Sequence, residues 1–185
     1  MVGKAAQAGA AWAALLPERA RPAAMARIAM DDLVLARLLH VVAVVLWIGG
    51  VGFVTTVLLP GIGAKLPAAE RLRFFHEIER RFARQARATT LVAGFSGFYM
   101  VWRFDLWGRF VDAAYWWMHA MLLIWLIFTA MLFLAEPLFL DRWLEARAAR
   151  DPERTFALVR RLHWGLLIAS LVTIAGAVAG SHGGL

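Results

Sequence analysis

The sequence predicts an all-α integral membrane protein, a four-helix bundle with an amphipathic interfacial helix between its first and second spans. Three observations predict it. Four stretches, Leu38–Ala64, Ala88–Trp102, Ala113–Ala135 and Leu162–Leu185, contain no Asp, Glu, Lys or Arg. The chain of 185 residues is 62% hydrophobic, whereas a soluble domain is nearer half apolar. Its arginines gather between the apolar blocks, which is where lipid headgroups accept them.

Residues 1–32 form an Ala-, Arg- and Pro-rich tail, expected to be poorly ordered, with Met25 and Met30 as alternative starts. A cleaved signal peptide fits poorly, because the apolar run Ala8–Leu16 is short and is interrupted at Pro17. Residues 33–185 form one transmembrane domain, with spans over about 33–60, 86–104, 113–137 and 162–181. A crossing needs roughly 20 apolar residues. The first, third and fourth stretches satisfy this directly. The second is short and crosses if Arg84, Arg87 and Arg103 extend to the two interfaces.

Between spans one and two, Leu72, Phe75, Ile78 and Phe82 recur at helical spacing among Arg and Glu. That pattern places an amphipathic helix along the interface, running into span two. Pro137 should end or kink span three. Gly49, Gly50, Gly52, Gly94, Gly97, Gly176 and Gly180 mark close helix approach, or room for a flat cofactor.

Chemistry, if present, rests on the histidines. The chain has no cysteine, which excludes disulfides, Cys-ligated zinc, iron–sulfur clusters and covalent haem attachment. It has no phosphate loop, dinucleotide fingerprint, zinc-protease helix or nucleic-acid motif. An imidazole inside a span is costly without a partner, so it is a functional lead. At about 1.5 Å per residue, His40 and His119 lie roughly 10 Å inside spans one and three, which start on the same side of the membrane. Two imidazoles at one level can ligate a b-type haem or bind copper. Met100 lies at that level as a further cofactor ligand, and His182 as a further metal ligand where span four returns. His163, at the opposite end, could serve a second cofactor, while His76 reads as a solvated interfacial residue. Either arrangement implies a redox role, possible oxidoreductase activity, and a quinone or a redox partner protein. A homo-oligomer or a non-catalytic subunit of a larger redox complex, with structural histidines, is the remaining alternative.

The segment Leu39-His40-Val41-Val42-Ala43-Val44-Val45-Leu46-Trp47-Ile48-Gly49-Gly50 resembles the first helix of CopD-like copper-resistance membrane proteins and of HemJ-type protoporphyrinogen oxidases. Trp117-Met118-His119-Ala120-Met121-Leu122 resembles the HemJ-type third helix. The resemblance covers parts of spans one and three. It implies a four-helix protein associated with haem b or, alternatively, copper, with His40 and His119 as the matching ligands. Met121 stands where the HemJ-type pattern has Lys, and Val51–Thr56 lacks that family's Pro-Arg motif. These departures count against protoporphyrinogen oxidation more than against haem binding.

The arginines also set the expected sidedness. Lys65, Arg71, Arg73, Arg80, Arg81, Arg84 and Arg87 lie between spans one and two, and Arg142, Arg147, Arg150, Arg154, Arg160 and Arg161 between spans three and four. Only Arg103 and Arg109 lie between spans two and three. The bias places the two basic loops in the cytoplasm of a bacterium and both termini on the periplasmic side of its inner membrane. Alkaline phosphatase fused after Leu185 should therefore be active and a fused green fluorescent protein dark; the reverse pattern would invert every statement of sidedness.

Overall fold

The computed structural model describes residues 17–182 together with 11, 14 and 15; side chains are described for 11, 14, 15, 17–23 and 30–182. The parts of the expected tail at 1–10, 12, 13 and 16 lie outside the described residues. The described chain is all-helical, with no strand. Three helical segments, Met30–Lys65, Ala113–Ala148 and Pro152–Ser181, are long and apolar enough to cross a membrane.

The first rod joins α1 (Arg21–Phe53), a π-helical turn (Val54–Leu58) and α2 (Leu59–Lys65). It begins inside the segment expected to be disordered. Pro22 stands in its first turn, where the missing N–H costs nothing. The π turn precedes Pro60, whose ring cannot donate into the helical ladder. The second rod is α3 (Ala68–Arg103). A left-handed residue, Asp105 at φ 50°, ends it and opens a connection of two short 3₁₀ turns. The third rod joins α4 (Trp116–Ala130), a π-helical stretch (Met131–Leu140) and α5 (Asp141–Ala148). The fourth is α6 (Pro152–Ser181), capped by the Asp151 carboxylate, which accepts from the Arg154 amide at 3.0 Å. The first and third rods each pack on the second and fourth.

The expected amphipathic helix is the N-terminal half of α3 and runs on without a break, as its sequence suggested. Its apolar face is covered by protein: Leu72 and Phe75 are 5% and 1% exposed, in a cluster with Leu59, Ile62, Leu144, Phe156 and Val159. The outward faces, by contrast, carry exposed apolar side chains such as Val45, Phe53, Leu126, Leu138, Leu171 and Val178. Such continuous apolar exposure suits a lipid surround.

Pro137 neither ends nor sharply divides the third rod. In a π-helical register the N–H of residue 137 would reach the carbonyl of Leu132. Proline has no N–H, so that carbonyl would be left without a donor. Arg87 of α3 supplies one: its Nε donates to Leu132 O at 3.0 Å, and its Nη2 donates to Glu136 Oε1 at 3.0 Å. One guanidinium thus satisfies the orphaned carbonyl and pairs with the carboxylate one residue before the proline. The Glu136 side chain is only 15% exposed, so removing its partner leaves a nearly buried charge. Arg87→Ala should destabilise the folded protein by about 3–5 kcal/mol. Arg87→Lys should rescue it incompletely, since an ammonium lacks the two-pronged fork. Adding Glu136→Gln to Arg87→Ala should recover part of the loss in detergent unfolding measurements; a double variant no more stable than the single one would refute the pairing.

Candidate functional site

His40 is held on the second rod. Its Nδ1 lies 2.8 Å from the Ala93 carbonyl and 3.2 Å from Ser96 Oγ. A carbonyl only accepts, so Nδ1 carries the proton and Nε2 keeps its lone pair. Gly97 makes the seat: a Cβ there would lie 3.1 Å from His40 Cε1. Met100 follows Gly97 by three residues on α3 and is half-buried. That spacing places it on the same helix face, one turn further along.

His119 is placed differently. It is exposed, and its two ring nitrogens face the carbonyls of Tyr115 at 3.1 Å and Phe110 at 2.9 Å. Neither nitrogen turns an unencumbered lone pair outward. His182 is also exposed, with Nδ1 at 2.8 Å from Val178 O and 3.1 Å from Ser181 Oγ. Matched depth therefore does not bring these three histidines to one point: His40 turns to α3, His119 to the connection before α4, and His182 to its own helix. Among the described residues, no three His, Asp or Glu side chains group to hold a metal.

Several of the glycines that suggested room for a flat group are occupied by aromatic rings. Gly50 seats Phe82, Gly94 seats Trp125, Gly176 seats Trp116 and Gly180 seats Trp117. Trp125 also donates from Nε1 to Thr90 O at 2.9 Å, which locks it along α3. In this arrangement a porphyrin held between His40 and His119 does not fit. The gaps are filled, and His119 would first have to leave Phe110.

A second polar constellation lies near the opposite end. Glu79 and His163 line one cavity, with Trp47, Val51, Phe82 and Phe128 among its walls. His163 bonds through Nδ1 to Val159 O at 2.9 Å, and its ring stands edge-on to Phe75 at 5.5 Å. Its Nε2 is therefore the lone-pair nitrogen. His76, read from the sequence as solvated, is 6% exposed, with Nε2 buried and without a partner. Trp47 Nε1 is likewise buried and unpartnered. Glu79 is half-buried and makes no hydrogen bond or ion pair among the described residues. Burial, reinforced by the charges of Glu136 and Asp141, pushes its carboxyl up to about 8. Sequence reasoning missed Glu79 because it lies in a run of Arg and Glu. The signal was its register: Leu72, Phe75, Glu79, Phe82 and Ala86 follow one another at three- and four-residue intervals, so the carboxylate interrupts the inward stripe.

No protein-family model matches the chain, and no curated protein or solved structure matches it at a significant level.

The raised Glu79 carboxyl has a consequence for stability. Between its ordinary value of 4.5 and about 8, the folded protein holds a proton that the unfolded chain has lost. Stability contributed by this group must therefore fall as pH rises through that window and level off above it. Thermal unfolding in detergent should show this slope in the wild type and a shallower one in Glu79→Gln; equal slopes would remove Glu79 as its source.

Proposed function

We propose that the chain is a four-span protein of a bacterial inner membrane that handles copper, taking Cu(I) as its cargo on His40 and Met100. The observation that carries this reading is the Ala93 carbonyl on His40 Nδ1, which fixes the tautomer and orientation of the ring and leaves Nε2 as a donor. Such outer bonding is the usual companion of a metal-binding imidazole. Cu(I) accepts imidazole and soft thioether ligands. Unlike a porphyrin, it needs no planar slot between helices, so the filled glycine seats do not obstruct it. The CopD-like pattern around His40 supports the same reading. In the orientation set by the arginine bias, this level is near the periplasm, from which copper would enter.

Haem b is the second reading, favoured by the same Nε2, with His40 as its one available axial ligand. It would serve one-electron transfer with a quinol or a redox partner protein. In either case His119 and His182 support the loop and helix end they touch rather than the metal.

Metal analysis and a visible spectrum of one purified sample separate the readings. Copper near one equivalent, with no Soret band, is expected. His40→Ala and Met100→Leu should each lose most of it, and His119→Ala should retain it. Iron with a Soret band that disappears in His40→Ala would replace copper by haem. Neither metal, after growth with both available, would leave the histidines structural.

A further inference from the structure

The cavity beside Glu79 has a volume of about 30 Å³. A polar cavity of about 10–15 Å³ or more admits a water molecule, provided two to four polar groups can bond it. The walls meet that requirement. Trp47, only 4% exposed, brings an indole N–H with no partner. His163 brings a ring whose Nδ1–H is committed to Val159, which leaves Nε2 to accept. Glu79 brings a carboxyl with no bonding partner among the described residues. A donor, an acceptor and a group able to do either thus line one small space whose other walls are apolar. Leaving the buried Trp47 N–H dry would cost on the order of 1–3 kcal/mol.

We propose that this pocket is a hydrated protonation site, in which water bonds Trp47 and His163 and Glu79 takes up a proton from the membrane face that carries the arginine-rich loops. The step is a carboxylate and a hydronium ion giving a carboxylic acid and water, with no electron transferred. The charged and titratable surroundings favour the neutral acid. From the third rod, Glu136 and Asp141 repel a carboxylate. Arg87 of α3 is committed to Glu136 and Leu132. From the fourth rod comes His163, and from α3 itself His76 and Arg80, the latter turned to the His76 carbonyl at 3.3 Å. The first rod offers Trp47, Val51 and Val54, none of them titratable. The ligands are therefore water and a proton; the pocket is too small for a quinone ring or a substrate.

The test uses the full chain in lipid nanodiscs. Infrared difference spectra across a pH titration should show a protonated-carboxyl stretch, shifted in D₂O, that persists through neutral pH and disappears near pH 8. Glu79→Gln should remove that band, Glu79→Asp should keep one with a displaced midpoint, and Glu145→Gln, at an exposed position, should leave it unchanged. In ¹⁵N-indole spectra, the resonance lost in Trp47→Phe should show a cross-peak to water. Complete ionisation below neutral pH, or a band untouched by Glu79→Gln, would overturn the protonation site. An indole with no contact to water would overturn its hydration. Because metal content is not read and the band belongs to Glu79 alone, failure of the copper or haem reading would leave the band in place, so the two readings fail separately.

Discussion

The arrangement of the second and third rods depends on one guanidinium. Inside a bilayer no water stands ready to bond a backbone carbonyl, so each must be satisfied by the protein. Pro137 removes an N–H from the third rod, a helical segment apolar enough to cross a membrane. Arg87 restores a donor from the neighbouring helix and neutralises Glu136 with the same group. The consequences reach both constellations of polar side chains. The clamp fixes α3 against the third rod, and so fixes where Glu79 and, further along the same helix, Ala93 and Gly97 are presented. It also commits the Arg87 guanidinium to Glu136 rather than to Glu79, whose carboxyl makes no ion pair among the described residues. A positive charge in a short span reads from sequence as an interfacial anchor; here its partners are a missing hydrogen bond and a carboxylate.

Glycines and indoles set the remaining register. Close helix approach through small residues usually brings backbone to backbone. Gly94, Gly176 and Gly180 instead each receive a tryptophan ring, and Gly50 receives Phe82. The aromatic side chains of α4 therefore act partly as keys between rods rather than as an interfacial belt alone. Trp117 is 6% exposed, although Trp107 beyond the helix end is 50% exposed and does face outward.

Legibility in the sequence followed the physics of each feature. Apolar runs without charge are a one-dimensional signal, so the long helices could be placed from it; Leu38–Ala64 lies wholly within a structural rod. The boundaries were less legible. Charged residues can continue a helix beyond its apolar run, as Arg21–Asp32 does before Leu33 and Ala68–Arg87 does before Ala88. His40 stood out because an imidazole among Leu and Val must find a partner, and it does. Its pairing with His119 was not legible. Depth along an axis follows from residue counting, but the direction in which a ring turns depends on side chains contributed by other helices. Glu79 was legible in principle, since it breaks a heptad-like stripe, yet the surrounding charges masked that stripe.

The two constellations share a scaffold. His40 and Trp47 are seven residues apart on α1, two turns along one face, or about 10 Å at the rise of an α-helix. A cation bound at His40 would thus sit one short step above the wall of the Glu79 pocket. The Glu79 carboxyl is further off, because His40 is seated at Ala93, fourteen residues beyond Glu79 on α3, or about 21 Å at the same rise. Over that distance, at an effective dielectric of about 20, two unit charges interact by roughly 0.8 kcal/mol, about half a unit of pKa. Metal at His40 would favour the ionised form of Glu79, and protonation of Glu79 would weaken the hold on metal by the same amount, since linkage is reciprocal. Neither effect requires a helix to move. The Arg87 clamp and the aromatic keys hold α3 against its neighbours, so this small electrostatic coupling would act at a fixed separation.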